Sequence, residues 1–227
     1  MGHRRAPHHH ALTGELTADC IADRWPHLFH MAEAGSWDSI QRNGLRSTTA
    51  LLDLFEISGD EREALEARHR AESVRIMHPV HGIAWIRDNR PITPSVLRSR
   101  LVGMNESDWY RTLNRRVFFW LTERRLDKIR HAKANRNRAH EILVIDTAEF
   151  LTRHASRVEL SPFNSGSAFP ADTTPRGVGT FAAIPDYPWE QRRRTAPSEP
   201  IVELTVDYAV GDIADLIVDV VETPAST

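Results

Sequence analysis

Residues 28–45, LFHMAEAGSWDSIQRNGL, predict a strand followed at once by a helix. The apolar run around His30 is too short for a helix, so we expect a buried strand that ends at this histidine. Helical spacing then resumes, with Ser36 as the expected N-cap and Gly44 as the expected terminating residue. The histidine at the strand end either packs in the core or binds a ligand, and the motif alone leaves both interpretations open.

The length of 227 residues suits one domain, and the hydrophobic fraction of 41% and charged fraction of 26% are ordinary for a soluble protein. No run approaches the roughly 18 apolar residues of a membrane helix. We therefore expect a cytoplasmic protein without a membrane partner. The expected boundaries are a disordered tail over residues 1–12, one domain over residues 13–221 and a C-terminal tail over residues 222–227.

Several classes of site are disfavoured by the motifs. Cys20 is the single cysteine, which excludes an internal disulfide and a cysteine-based zinc site. The 12 histidines lack paired spacing on a helix, so we expect no metal. GVG at residues 177–179 lacks the context of a phosphate loop, and no GxSxG elbow is present.

Basic charge is local rather than global. The net charge is −2 and the isoelectric point is near 6.6, yet residues 111–138 contain ten Lys and Arg against two acidic residues. Such a run is either a solvated helix face or a surface that contacts nucleic acid.

The remaining pattern predicts an α+β domain with helices concentrated in the N-terminal half. A helix capped by Thr13 should precede the opening motif, and RVFFWL at residues 116–121 should form a central strand. PIVELTV at residues 200–206 alternates as a late strand. Residues 162–200 hold seven prolines without a sustained period, which predicts a long loop that is functional or disordered.

Three features stand in an informative order: His30, the aromatic strand RRVFFWLT and Glu203 in SEPIVELTV. This order resembles the ADP-ribosyltransferase superfamily, in which NAD lies across a split β-sheet. HMAEAGSWDSIQRNGL is similar to the first motif of its DarT-type group, bacterial toxins that ADP-ribosylate DNA bases. DWYRTLNRRVFFWLTERRL and ELTVDYAVGDI occupy the places of the second and third motifs. The three segments together cover about a quarter of the chain. The sequence as a whole also resembles an uncharacterised bacterial family that shares these motifs.

The resemblance implies a glycosyltransferase with NAD as substrate and a possible nucleic-acid acceptor. Glu203 would stabilise positive charge on the ribose carbon as the N-glycosidic bond breaks. His30 would hydrogen-bond a ribose hydroxyl or the nicotinamide amide. Phe119 or Trp120, in the aromatic strand, would stack on nicotinamide.

Further ligand contacts are expected from Arg46 to the pyrophosphate and from Ser161 or Asn164 near the ribose. Glu199 and Glu203 are four residues apart and would share one face of a strand, so periodicity does not separate them. We prefer Glu203 because the strand continues beyond it.

Two other functions remain open at this point. The RNA 2′-phosphotransferases share the same fold and act on an RNA phosphate, which the basic residues would suit, although their motifs are not found in order. A non-catalytic module that binds nucleic acid through residues 111–138 would need no NAD.

Overall fold

The computed structural model describes residues 15–225 and has the mixed α and β composition of an α+β protein. The tail expected over residues 1–12 and the cap expected at Thr13 lie outside the described residues. The last strand ends at Thr223, which is buried, so the domain extends two residues beyond the expected boundary at residue 221.

The helices of the described chain are short, with seven to nine residues each: α1 (Ala18–Arg24), α2 (Trp37–Asn43), α3 (Thr48–Leu54), α4 (Gly59–Glu66), α5 (Pro94–Arg100), α6 (Glu106–Asn114), α7 (Glu123–Arg130), α8 (Thr147–His154) and α9 (Trp189–Thr195). Side-chain oxygens accept backbone N–H groups at the N-termini of α1, α3, α6, α7 and α8, from the caps Thr17, Ser47, Asn105, Thr122 and Asp146. These caps explain where the helices begin.

The strands range from two to seven residues: β1 (His27–Glu33), β2 (Leu45–Arg46), β3 (Val74–His78), β4 (Gly82–Ile86), β5 (Leu101–Val102), β6 (Arg116–Phe119), β7 (His140–Asp146), β8 (Val158–Ser161), β9 (Arg176–Gly177), β10 (Ala182–Ala183), β11 (Glu203–Asp207), β12 (Ala209–Val210) and β13 (Ile217–Thr223). Short 3-10 turns occur at Ala155–Arg157, Val178–Thr180, Ile184–Asp186 and Ile213–Asp215.

Two antiparallel sheets form the centre of the fold. One has the order β1-β7-β13 and the other the order β10-β8-β11-β6. They meet where Phe29 and Trp120 exchange two backbone hydrogen bonds of 2.9 Å each. Within residues 15–225 this is the single bridge between β1 and the end of β6, so the two strands separate on either side of it.

The main core is apolar on both sides of this junction. It includes Ile21 of α1, Leu28 of β1, Phe119 of β6 and Phe150 of α8, all at 0% exposure. A separate apolar cluster lies beneath α3, α4 and the β3–β4 hairpin. The hairpin and α3 thus form a small lobe beside the central sheets, and its inner edge borders the candidate site.

Several local predictions need correction. His30 lies in the middle of β1 rather than at its end, because β7 pairs with β1 as far as Glu33. The first helix begins after Thr17. The aromatic run at residues 116–121 is not a central strand, because β6 covers only Arg116–Phe119 and lies at the edge of its sheet. Ser36 precedes α2, but its side chain makes no capping hydrogen bond. Residues 162–200 are not one long loop: they contain β9, β10, two 3-10 turns and α9, which tertiary contacts stabilise without a periodic sequence signal.

No helix within residues 15–225 is long and apolar enough to cross a membrane.

Gly44 ends α2 in a backbone conformation that side chains disfavour, with φ of +76°. A Cβ atom there would lie 2.8 Å from the Cα of Gly211 and 3.0 Å from its carbonyl oxygen. The chain therefore needs glycine at this position for two reasons, the positive φ and the close approach of the Val210–Gly211 backbone.

We predict that Gly44→Ala lowers the free energy of unfolding by more than the roughly 1 kcal/mol that a positive φ alone costs. Gly35→Ala is the matched control, because Gly35 has φ of +79° and a Cβ atom added there would have no neighbour within 4 Å. Urea unfolding of both variants measures the difference. If both variants lose the same free energy of unfolding, the close approach of Gly211 does not explain the need for glycine at position 44.

Candidate functional site

A cavity of about 290 Å³ opens where β1 and β6 separate. Its walls come from β1, α2, the turn after α2, β4 and β6, and Glu203 also lines it. In the part of the chain that the structure describes, this edge of β1 has no strand partner beyond the bridge at Phe29, so the separation of the two sheets leaves the space between them.

His30 contacts both sides of the junction. Its Nδ1 lies 2.8 Å from the carbonyl oxygen of Phe118, and its ring packs against Phe119 with centroids 5.9 Å apart. Since a carbonyl oxygen only accepts hydrogen bonds, Nδ1 carries the proton and the lone pair is on Nε2. Burial lowers the pKa of His30 to about 4, so the ring is neutral near pH 7.

The Nε2 atom of His30 makes no hydrogen bond to any residue between 15 and 225. A neutral imidazole in this tautomer accepts a hydrogen bond there and does not donate one. His30 is therefore both a structural contact to β6 and a fixed acceptor on the cavity wall.

Glu203, the first residue of β11, is 2% exposed and lines the cavity. One carboxylate oxygen, Oε2, accepts hydrogen bonds from Ser165: 3.0 Å from the backbone N–H and 2.7 Å from the hydroxyl. Burial raises the pKa of Glu203 to about 7, and the two Ser165 donors and the charges of Arg125 and Arg176 oppose the rise. The carboxyl group therefore changes ionisation near neutral pH.

Glu199 lies apart from the carboxylate of Glu203. It is outside β11, which begins only at Glu203, and it does not line the cavity. Its side chain forms an ion pair with Arg125. The expected strand over residues 200–206 begins only at residue 203, so the two glutamates do not share a strand face.

Four arginines line the cavity, and their partners differ. Arg87 lies 3.4 Å from a Glu33 oxygen, and Arg116 forms a 2.7 Å ion pair with Glu159. Arg70 bonds backbone carbonyl oxygens and the side chain of Asn114. These three guanidinium groups are held by the protein itself.

Arg46 is the exception among them. Its Nε donates to the carbonyl oxygen of Asn43 at 2.6 Å, and no carboxylate of the described chain pairs with it. A half-buried guanidinium with free N–H groups at a cavity wall suits an anionic ligand group.

The aromatic strand divides between core and cavity. Phe119 is fully buried against Phe150 and does not line the cavity, whereas Phe118 and Trp120 do, because successive side chains of a strand point to opposite faces. The indole N–H of Trp120 is buried without a partner among the described residues.

The loop after β8 divides in the same way. Asn164 lines the cavity, whereas Ser161 is fully buried and donates its hydroxyl to the carbonyl oxygen of Phe163 at 2.8 Å. The structure thus brings His30, Arg46, Trp120, Asn164 and Glu203 to one cavity and leaves Phe119 and Ser161 outside it.

Sequence reasoning missed Ser165 and Arg87. Ser165 is part of NSGS, a stretch with the composition of a turn, and its partner Glu203 is 38 residues away. Arg87 follows β4 and donates to the carbonyl oxygen of Met31 at 2.8 Å. Neither contact has a local sequence signal, because both depend on how distant segments meet. No group of three His, Cys, Asp or Glu side chains that could hold a metal ion occurs in residues 15–225.

The raised pKa of Glu203 predicts a pH-dependent stability difference between the wild type and Glu203→Gln. Between the ordinary pKa of 4.5 and the folded value of about 7, the unfolded chain ionises while the folded chain stays protonated, so stability falls as the pH rises. Because glutamine cannot ionise, Glu203→Gln should gain up to about 3 kcal/mol over the wild type at pH 8 and little at pH 4.

Urea unfolding across this pH range measures the effect, with Glu199→Gln as the control. Because Glu199 pairs with Arg125 outside the cavity, we do not expect its substitution to show the same rise. If the free energies of unfolding of Glu203→Gln and the wild type differ by the same amount from pH 4 to pH 8, the raised pKa of Glu203 is contradicted.

Comparison with known proteins identifies one family. Residues 26–217 match the model of DUF7002, a family of unknown function. No curated protein and no solved structure matches the chain. The matched range begins beside β1 and includes every residue that lines the cavity. Since it covers most of the chain, the protein belongs to the DUF7002 family.

Proposed function

We propose that the protein is an ADP-ribosyltransferase, or an NAD glycohydrolase, that uses NAD as its substrate at the cavity between β1 and β6. The observation that carries the proposal is that neutral His30 and buried Glu203, on strands of two sheets that separate, line the same cavity. We interpret the two separating sheets as the split sheet of this superfamily.

The residues present suit NAD chemically. Apolar and aromatic groups such as Trp120 fit a planar ring, Asn164 and His30 fit ribose hydroxyl or amide groups, and Arg46 fits a pyrophosphate. NAD would supply the ADP-ribosyl group, with nicotinamide departing with the electron pair of the broken N-glycosidic bond.

Glu203 would act on the ribose. Its Oε2 is occupied by Ser165, and no residue of the described chain donates to Oε1. When ionised, Oε1 would stabilise the positive charge that develops on the ribose carbon, and it could take the proton of the acceptor as the new bond to that carbon forms. Burial strengthens this interaction because little water is present to screen it.

His30 would orient the substrate rather than exchange protons near pH 7. With Nδ1–H bonded to Phe118, its Nε2 accepts a hydrogen bond from a hydroxyl or amide group. The lowered pKa keeps that lone pair available throughout the neutral range.

One observation favours a nucleic-acid acceptor. Of the ten basic residues in the 111–138 run, six form ion pairs within the protein: Arg111, Arg115, Arg116, Arg125, Arg130 and Arg138. The other four are exposed and have no carboxylate partner in the described part of the chain: Arg124, Lys128, Lys133 and Arg136. They lie on α7 and the segment after it, a stretch that also contributes Ile129 and Asn135 to the cavity wall.

The same four cations would serve the alternative functions, an RNA 2′-phosphotransferase-like reaction or nucleic-acid binding without catalysis. Cleavage of NAD separates the proposals, because only the ADP-ribosyltransferase and the glycohydrolase release nicotinamide.

We predict that Glu203→Gln reduces nicotinamide release from NAD by at least about 100-fold while NAD binding changes little, because the charge is needed mainly in the transition state. Chromatographic detection of nicotinamide measures turnover, and isothermal titration with NAD measures binding. Glu199→Gln is the matched control and should keep turnover within a few-fold of the wild type. Full turnover by Glu203→Gln, or no NAD binding by the wild type, would refute the proposal.

We also predict that the unpaired cations bind nucleic acid. Replacing Arg124 and Lys128 by glutamine should weaken binding of a single-stranded DNA or RNA oligonucleotide and reduce the slope of log affinity against log salt by about 0.7 for each lost phosphate contact. Arg115→Gln, which removes a cation already paired with Asp207, is the control. Fluorescence anisotropy at several salt concentrations measures both, and identical slopes for all variants would argue against this surface.

A further inference from the structure

The loop between β8 and β9 carries Ser165 into the protein interior. Its neighbours Asn164 and Gly166 line the cavity, and Ser165 between them is fully buried beside Glu203. Ser165 has two hydrogen-bond donors, its backbone N–H and its hydroxyl, and both donate to the same oxygen of Glu203, Oε2.

Two donors on one oxygen fix the orientation of a carboxyl group. Rotation about the last side-chain bond of Glu203 would break both bonds at once, and a buried acceptor left without a donor is costly, at about 1–3 kcal/mol. The other oxygen, Oε1, is then the one available to a ligand.

We propose that Ser165 is a positioning residue that holds Glu203 with Oε1 directed to the ligand and favours its ionised form, and that Arg176 keeps Ser165 in place. The catalytic consequence rests on the proposed function, whereas the effect on Glu203 ionisation does not.

Arg176 stabilises the loop from inside. Its side chain is fully buried, pairs with Asp172, and donates to the carbonyl oxygens of Thr174, at 2.7 Å, and Ser167. Its guanidinium also lies 5.2 Å from the centre of the Phe163 ring. These contacts span the loop on both sides of Ser165, so the guanidinium organises the loop as one unit.

A second contact anchors the loop to the rest of the fold. Ala168 donates its N–H to the carbonyl oxygen of Pro91 at 3.0 Å and accepts from the N–H of Thr93 at 2.8 Å. Ser165 is thus three residues before Ala168, which forms this backbone bridge, and two residues before Ser167, whose carbonyl oxygen accepts from Arg176. The chain is restrained before Ser165 by the contact of Phe163 with Arg176 and after it at Ser167 and Ala168, so the loop presents its donors to Glu203 in one geometry.

The hydrogen bonds of Ser165 favour the charged carboxylate, since both groups are donors and a protonated carboxyl accepts less strongly. This agrees with the opposing effect of Ser165 on the raised pKa of Glu203. Removing the hydroxyl leaves the backbone donor in place, so the loop keeps one of its two contacts.

The decisive experiment compares Ser165→Ala with Ser165→Thr, which retains the hydroxyl, and with Ser167→Ala, which removes a hydroxyl two residues away. Each is combined with Glu203→Gln, and urea unfolding is measured from pH 4 to pH 9. We expect the pH at which the stability gain from Glu203→Gln stops growing to rise by about one unit in the Ser165→Ala background and to stay unchanged in the Ser165→Thr and Ser167→Ala backgrounds. Arg176→Lys, which keeps the charge but loses the planar donor pattern, should shift it in the same direction.

The proposal would be overturned if the pH at which the stability gain from Glu203→Gln stops growing, here called the unfolding midpoint, were unchanged in both Ser165→Ala and Arg176→Lys. If the wild type cleaves NAD, the midpoint of the rising pH–rate curve should move upward by the same amount in Ser165→Ala, and a fall in rate without that shift would mean a merely structural role. If NAD is not cleaved but the unfolding midpoint moves, the proposed function fails while the role of Ser165 in the ionisation of Glu203 stands.

Discussion

The paired hydrogen bonds between Phe29 and Trp120 join two sheets that otherwise separate, and the cavity depends on this junction. Each backbone group of the bridge is satisfied, so β1 and β6 are held together at one point without closing along their length. His30, the residue after Phe29, reaches the carbonyl oxygen of Phe118 across the same junction. The contact that joins the sheets therefore lies one residue from the group that lines the cavity.

The electrostatics of the cavity follow from burial. His30 and Glu203 are both removed from water, and burial favours the neutral form of each, which lowers one pKa and raises the other. The two shifts have different consequences near pH 7. The histidine stays neutral throughout, whereas the carboxyl group is poised between its two forms, which suits a group whose charge is used in a reaction.

Long-range contacts, rather than local ones, place the carboxylate. Ser165 is 38 residues from Glu203, and the loop that carries it is organised by Arg176 and anchored to the Pro91–Thr93 segment. The proline-containing region after β8, which has no periodic pattern, is therefore ordered by buried polar contacts and backbone bridges. In the proposed enzyme, this region supplies the support for Glu203 as well as part of the cavity wall.

Local sequence determined much of the secondary structure. The strand and helix of residues 28–45, the glycine that ends that helix, the presence of an aromatic strand and the α+β class were predictable, because side-chain periodicity and positive φ values act within a few residues. The position of the aromatic strand at a sheet edge was not, because strand order depends on distant segments. His30 and Glu203 became candidates through the resemblance of the motif order to a known superfamily, and their roles stay predictions. Their common cavity, the separation of Glu203 from Glu199, the burial of Phe119 and the Ser165 contact were decided only by the tertiary structure. These features depend on strand register and on which distant segments meet, and neither leaves a periodic signal in the sequence.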